Sequence, residues 1–186
     1  MLRLSSLFFS CVCLGQIQQT KSWDATGLKD VEINCFWASS IRISTHKNPT
    51  IEVNYQKEGE YQNLYLLREK IDGGCFYIEE YQSPSYTKPD DKLSVHKVVA
   101  NMLVIKIPEN LNLSLTSKET QLDCFGVFGK INFIVEHGKA TFEIKNPKGV
   151  IKSLTADLHF YGLTLNELPK SLLATTARGN IVVHPN

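Results

Sequence analysis

Acidic residues come nearest, among the side chains of this sequence, to a known catalytic arrangement. Glu136 and Asp157 lie 21 positions apart, and Glu143 and Glu167 lie 24 positions apart. If the chain coils in turns of about that length, each pair stacks on neighbouring turns about 4.8 Å apart. Retaining glycosidases hold two carboxyl groups about 5 Å apart. The spacing keeps a polysaccharide-acting β-helix enzyme, a lyase or glycosidase, open as an alternative function. Acidic side chains are equally ordinary on a solvated face.

The histidines and glycines form no recognised catalytic or metal-binding motif. His96 lies close to Asp90 and Asp91, but the sequence contains no HExxH, no HxH and no Cys/His cluster. The other four histidines stand as single residues in different parts of the chain. A G-x-S-x-G element and the phosphate-binding glycine motifs are also missing from the sequence. We therefore predict no catalytic residue, no metal and no cofactor.

Aromatic side chains suggest a different chemistry, a platform on which a sugar ring stacks. The candidates for this platform are Trp37, Tyr55, Tyr61, Tyr65, Tyr81 and Tyr86. The alternative is that these rings fill the core, because aromatic side chains bury large areas. Strand register decides between the two.

The second half of the chain consists of short apolar strands separated by glycines. Alternating apolar sets recur about every twenty residues: Leu111, Leu113 and Leu115; Ile131, Phe133 and Val135; Leu154, Ala156 and Leu158; Ile181 and Val183. The pattern predicts an all-β fold, with a single-stranded, right-handed parallel β-helix (a β-solenoid) from about residue 92 to 186. An antiparallel β-sandwich with glycine turns is the alternative.

The region from about residue 25 to 90 is more hairpin-like. Period-two alternation predicts strands over residues 31–38, 40–45 and 50–56. The turn signal Asp72-Gly73-Gly74 predicts a hairpin of Leu64–Ile71 with Cys75–Tyr81. The polar, proline-bearing loop Ser83–Asp91 separates this region from the coil without dividing the chain into two domains.

The N-terminus has the features of a secretory signal peptide. Arg3 provides a positive charge, residues 4–14 are uncharged and mostly apolar, and small residues precede a cut before Gln16. We predict a signal peptide over residues 1–15 and a single β-rich, adhesin-like domain over residues 16–186. The protein is then exported, to the periplasm, the outer membrane surface or the extracellular space.

Cysteine usage agrees with export but defines no disulfide framework. Cys11 and Cys13 lie in the predicted signal peptide, where a lipid anchor on either is the alternative to cleavage. Cys35, Cys75 and Cys124 remain, an odd number at irregular spacing. Either one pair forms a disulfide or all three are small buried thiols.

Net charge argues against nucleic acid as a partner. The chain has 20 basic and 19 acidic residues. Removal of residues 1–15 takes away Arg3 alone, which leaves no net charge. Nucleic-acid-binding domains instead cluster Lys and Arg in excess.

Three segments carry a family resemblance. They are Asp91–Ala100 (DKLSVHKVVA), Ile105–Leu111 (IKIPENL) and Glu58–Tyr61 (EGEY). They resemble secreted Bacteroidetes proteins of the auto-transporter adhesin head family (GIN type), and the resemblance covers about residues 25–186. It implies a parallel β-helix and an adhesin-like role, in a family whose function is largely unknown.

These observations predict a secreted, non-enzymatic protein of the cell envelope or surface with an adhesin-like binding or structural role. The expected partner is a glycan or an envelope protein. Self-association is expected through the solenoid edge at Ile181–Val183, because an unpaired strand edge is a template for pairing with another chain.

Overall fold

The regular structure of this protein is built from β-strands. The computed structural model describes residues 17–58, 63–85, 100–145, 147–163 and 172–184. Those ranges contain thirteen strands and no helix, which confirms the all-β prediction. Accordingly, this part of the chain has no helix with the length and apolar character needed to span a bilayer. The predicted signal peptide and His96 lie outside the described residues.

Seven strands make up the first part of the chain. They are β1 (Ile17–Asp24), β2 (Asp30–Cys35), β3 (Ser40–His46), β4 (Thr50–Glu58), β5 (Tyr65–Asp72), β6 (Cys75–Gln82) and β7 (Ala100–Pro108). The predicted strands between residues 31 and 56 are confirmed, except that β2 ends at Cys35 and not at residue 38, and the hairpin is confirmed as β5–β6. Strand β1 was not predicted, because its sequence IQQTKSWD is largely polar. The loop predicted at Ser83–Asp91 lies outside the described residues beyond Ser85.

Six strands make up the second part. They are β8 (Asn112–Gly126), β9 (Lys130–Ile144), β10 (Lys148–Ser153), β11 (Asp157–Tyr161), β12 (Leu172–Thr176) and β13 (Ile181–His184). The two long strands bend, so that each contributes to two layers. In β8, residues 112–117 pair with β2 and residues 121–125 pair with β3.

The strands form two layers joined through β8 and β9. Layer A runs β5–β6–β2–β8–β9–β10–β12, and layer B runs β1–β4–β7–β3–β8–β9–β11–β13. Nine of the twelve strand pairs in the described residues are parallel. The three antiparallel pairs, β1–β4, β4–β7 and β5–β6, all belong to the first part of the chain.

The register of the parallel strands differs from the predicted one. Leu113 pairs with Ile131, and Ile131 with Gly149, which sets 18 residues per turn rather than 20 and 23. Leu158 pairs with Ala140 in layer B and not with the Ile131 set in layer A. The predicted alignment of the Leu154, Ala156 and Leu158 set with the Ile131 set was wrong, because each turn holds two apolar segments, one in each layer, and Leu158 belongs to the other layer. A spacing of 23 residues occurs only at the last turn, where Gly149 pairs with Leu172.

The core lies between the layers. Alternate inward-facing residues of both layers form one continuous apolar cluster. Across it, the rings of Phe133 and Phe142 lie 5.7 Å apart, although both belong to β9. Phe160 stacks on Phe142 at 5.1 Å. Two facing layers are also what the β-sandwich alternative predicts, and its antiparallel pairing holds for the three pairs named above.

Candidate functional site

Two aromatic side chains project from the elbow, the segment of residues 36–39 that joins β2 to β3. Cys35 and Ala38, at either side, are each only 1% exposed and anchor the elbow in the core. Phe36 and Trp37 between them are 38% and 40% exposed. The strand alternation of β2 stops at Cys35, so both of these consecutive rings remain outside the core.

Tyr65, the first residue of β5, completes an aromatic surface with these two rings. Its ring stacks on Trp37 with centroids 4.7 Å apart and planes within 13° of parallel. Phe36 meets Trp37 edge-on at 6.1 Å. We call Phe36, Trp37 and Tyr65 the aromatic platform. Burial, and secondarily the charge of Glu80, raises the pKa of Tyr65, so its hydroxyl remains a neutral hydrogen-bond donor.

A buried carboxylate holds the platform in place from below. Glu80 in β6 is 2% exposed, and its Oε2 accepts a 2.7 Å hydrogen bond from the backbone N–H of Trp37. Its Oε1 accepts from the Tyr55 hydroxyl at 2.7 Å and from Asn101 Nδ2 at 3.2 Å. The backbone N–H of Ala38 is a further donor. Burial raises the pKa of Glu80, and these hydrogen bonds partly offset that shift.

This arrangement favours stacking recognition. Four donors from layer B and the elbow converge on one carboxylate of layer A, so the backbone beneath Trp37 is fixed before any ligand arrives. Preorganisation of this kind lowers the entropy cost of binding. A flat, partly exposed indole with a second ring against it offers an apolar face with polar tips, which suits the C–H face of a sugar.

The other predicted platform residues lie elsewhere. Tyr55 is 1% exposed and belongs to the core, where its hydroxyl binds Glu80. Tyr81 is half-buried, with the Arg68 guanidinium 5.7 Å above its ring. Tyr61 and Tyr86 lie outside the described residues. Of the six aromatic candidates, the structure brings Trp37 and Tyr65 together.

The predicted pair of Glu136 and Asp157 is not aligned in the strand register. Asp157 pairs in register with Lys139, whereas the backbone of Glu136 bonds to residues 154 and 155. The Asp157 carboxylate accepts hydrogen bonds from the backbone and side chain of Asn180, which lower its pKa. An aspartate whose pKa is lowered in this way is not suited to act as a general acid. Glu167, the predicted partner of Glu143, lies outside the described residues.

The structure brings two of the histidines together and leaves the described cysteines unpaired. His159 and His184, treated as single residues, meet across β11 and β13 with Nδ1 and Nε2 3.0 Å apart. Among the described residues, no group of three or more His, Cys, Asp or Glu side chains is placed to hold a metal ion. Cys35, Cys75 and Cys124 are all free. Burial raises the pKa of each thiol, so all three remain protonated.

Sequence reasoning missed the polar residues buried beneath the platform, although a signal for two of them was present. Glu80 continues the inward alternation of Phe76 and Ile78, so a charged residue stands at a core position of β6. Lys57 does the same in β4, and it is 2% exposed. A charged side chain at a core position of a strand needs a hydrogen-bond or ion-pair partner, because its burial without one is costly. Asn101, in contrast, gave no such signal.

Comparison with known proteins shows a shared fold. No family model and no curated protein matches the sequence. A solved structure titled a "putative cell adhesion protein", from Clostridium sporogenes, is similar with a TM-score of 0.65 and 12% identity. The match covers 92% of this chain and 100% of that one. At that identity the likeness concerns the fold alone.

Two further solved structures have lower scores. A "putative adhesin" from Bacteroides fragilis has a TM-score of 0.30 and 8% identity over 93% of this chain and 99% of that one. A "putative lipid binding protein" from Parabacteroides distasonis has a TM-score of 0.29 and 12% identity over 90% and 72%. At these TM-scores neither structure informs the fold or the site.

Proposed function

We propose that this protein is an exported, non-enzymatic, adhesin-like protein of the cell envelope or surface, and that its aromatic platform binds glycan. The observation that carries the proposal is the stacked Trp37–Tyr65 pair, solvent-accessible and fixed from below by Glu80. The name of the Clostridium sporogenes structure, a "putative cell adhesion protein", agrees with an adhesin-like role.

We infer that the parallel strands are the rungs of a right-handed β-solenoid. Support comes from the constant step of 18 residues between β8, β9 and β10 and from the matching step in layer B, where Leu122 pairs with Ala140 and Ala140 with Leu158. Parallel crossover connections are right-handed in nearly all proteins. Such a stack is rigid and presents the elbow at a fixed place on one side.

Glycan is the ligand class that fits the platform. A sugar ring presents C–H groups on one face and hydroxyls around its edge, so it needs an apolar plane bordered by polar groups. Trp37 provides the plane, and the Tyr65 hydroxyl is a donor at its border. The platform carries no net charge of its own, so neither an anionic nor a cationic ligand is favoured by electrostatics.

A glycan array with the purified protein tests this proposal. The wild type is expected to retain a defined set of glycans, and Trp37→Ala to weaken retention about tenfold, since a stacked ring contributes up to about 1.5 kcal/mol. Tyr161→Ala is the matched control, because Tyr161 is 37% exposed and stacks on His184 far from the elbow.

The same experiment separates the competing functions. Equal retention by wild type and Trp37→Ala would remove the platform from the function. Cleavage of a retained polysaccharide would favour the enzyme alternative. No retained glycan, together with co-purification of one envelope protein, would replace glycan by a protein partner.

A further inference from the structure

Three polar residues of unusual kind lie buried together between the layers beneath the elbow. Lys57 and Glu80 are each 2% exposed, and Asn101 is 0% exposed. Lysine and glutamate are almost never fully buried unless they are paired with each other or with another charge. In the described residues, no carboxylate lies within ion-pair distance of Lys57. Within the described ranges, the buried Lys57 amine therefore has no counter-charge.

Strand register places Lys57 directly opposite Asn101. The two residues are partners in the antiparallel β4–β7 pair, and both face the core. Directly opposed residues have Cβ atoms about 5 Å apart on the same face of the sheet. A lysine side chain spans that distance, so its Nζ has the reach to meet the Asn101 Cγ.

The surroundings suit a reaction between an amine and an amide. The Lys57 Nζ lies 5.7 Å from the Tyr55 ring centroid, and burial lowers the pKa of Lys57, which favours the uncharged, nucleophilic amine. Asn101 Nδ2 donates to Glu80 Oε1 at 3.2 Å, while Asn101 Oδ1 is buried without a hydrogen-bond partner. The raised pKa of Glu80 favours a carboxyl group that has a proton to give.

We propose that Lys57 and Asn101 become joined by an intramolecular isopeptide bond, with Glu80 as the catalytic residue. The Nζ lone pair attacks Cγ of Asn101 and forms a C–N bond. The Glu80 carboxyl donates its proton to Nδ2, the Cγ–Nδ2 bond breaks, and ammonia leaves. The resulting carboxylate takes a proton from Nζ, so Glu80 ends as it began. An amine and a primary amide become a secondary amide and ammonia, without any oxidant.

The bond would restrain the part of the molecule that contains Tyr65 of the platform and Glu80 beneath it. It closes a ring over residues 57–101, which contains the β5–β6 hairpin with Tyr65 and Glu80. A covalent link across a ring of this size stabilises a fold chiefly by restricting the unfolded chain, as a disulfide of similar loop length does. The described cysteines are all free, so this link would supply cross-linking that no disulfide among them provides.

Peptide mapping of the wild-type chain by tandem mass spectrometry tests the proposal directly. The expected result is a branched tryptic peptide that joins Lys57 to Asn101, lighter than its two parts by one ammonia, with no cleavage after Lys57. Recovery of Lys57 and Asn101 in separate, unmodified peptides would overturn the proposal. Intact mass alone does not suffice, because cyclisation of an N-terminal Gln16 releases ammonia too.

Variants assign the roles. Lys57→Met, Asn101→Ala and Glu80→Gln are each expected to abolish the branched peptide and to slow migration on a reducing denaturing gel. Asn54→Ala and Lys106→Met are matched controls on the outward faces of the same two strands, and both are expected to keep the bond. A branched peptide that persists in Glu80→Gln would refute the catalytic role of Glu80.

Discussion

The outermost strands at the two ends of the strand stack differ in their contacts and in their exposed apolar side chains. At the first end, β1 approaches the β5–β6 hairpin, with Lys21 Nζ 2.9 Å from Glu69 of β5 and the Trp23 ring 4.9 Å from Phe76 of β6. At the other end, β12 and β13 each have one strand partner among the described residues. There Leu173 and Ile181 are 57% and 45% exposed.

The two regions of the fold, the parallel turns and the antiparallel strands, differ in the kind of residues they bury. The parallel turns from β8 onward repeat nearly identical packing, with apolar side chains inward and a row of stacked phenylalanines, two in β9 and one in β11. The antiparallel region interrupts that repetition, and the buried polar residues Lys57, Glu80 and Asn101 lie there. The repeated parallel turns make the fold rigid, whereas the antiparallel region carries the buried polar side chains.

The largest contrast is expected between two glycines. A Cβ on Gly149, in the parallel stack, would lie 1.8 Å from the Ile131 carbonyl oxygen, at a φ of +133°. Gly149→Ala is expected to lower the free energy of unfolding by more than about 3 kcal/mol. Gly73→Ala in the hairpin turn meets nothing within 4 Å and is expected to cost only about 1 kcal/mol of backbone strain. Urea denaturation measures both, and equal losses would contradict the contrast.

The variant Glu80→Gln tests how much the buried carboxyl group of the antiparallel region contributes to the free energy of unfolding. The amide of glutamine would point a donor at the backbone N–H groups, so a loss of about 2 kcal/mol is expected. In the wild type, burial raises the folded-state pKa of Glu80 above its ordinary value of 4.5. The folded protein then holds this proton more tightly than the unfolded chain. Its free energy of unfolding is therefore expected to fall as pH rises from about 4.5 through the folded-state pKa.

Glu80→Gln should lack that part of the pH dependence. Glu79→Gln, on the outward face of β6, is the matched control and should keep the wild-type slope. Denaturant unfolding across a pH series measures the slopes. A wild-type profile that rises with pH over the same range would show that the hydrogen bonds, and not burial, dominate at Glu80.

The Lys21–Glu69 ion pair between β1 and β5 is expected to contribute less to the free energy of unfolding. Lys21 is about half exposed, and exposed ion pairs are screened by water, so Lys21→Met should cost about 0.5 kcal/mol. A double-mutant cycle with Glu69→Gln isolates the pair, and its coupling energy should shrink in 1 M salt. A coupling that is insensitive to salt would mean that the end is closed by packing of Trp23 alone.

The smallest effect on stability, within about 0.5 kcal/mol, is expected for Leu173→Lys at the open end. We propose that copies of the protein associate through β12 and β13, so this variant should lower the sedimentation-velocity mass seen at high concentration. Ile71→Lys is the matched control, since Ile71 is 49% exposed on β5 at the closed end. A wild type that stays monomeric at all concentrations would refute association.

Much of the local structure was predictable, because it depends on neighbouring residues. Alternation in β3 and β4 and the Gly73-Gly74 turn each specify a strand or a turn within a few residues. Register was not predictable in the same way. The two apolar segments of each 18-residue turn look alike in sequence, and only pairing across the sheet shows which belongs to which layer.

The candidate site depended still more on long-range contacts. Trp37 and Tyr65 meet because β6 pairs with β2 in parallel, which brings the start of β5 beside the elbow. The sequence offered both residues in a set of six aromatic candidates and could not choose among them. Asn101, polar at the start of an apolar strand, gave no warning of its contact with Glu80.

By itself the sequence determined the all-β character, the strand positions and the hairpin, because alternation and turn chemistry act over a few residues. The tertiary structure decided the strand register, the buried Lys57–Asn101–Glu80 group and the platform above it. The buried group and the platform join residues 21 to 44 positions apart, and the register joins residues as far as 82 positions apart; chain connectivity does not fix such contacts. They form only when the layers pack, since burial removes water from the polar groups and makes each of them dependent on its neighbours.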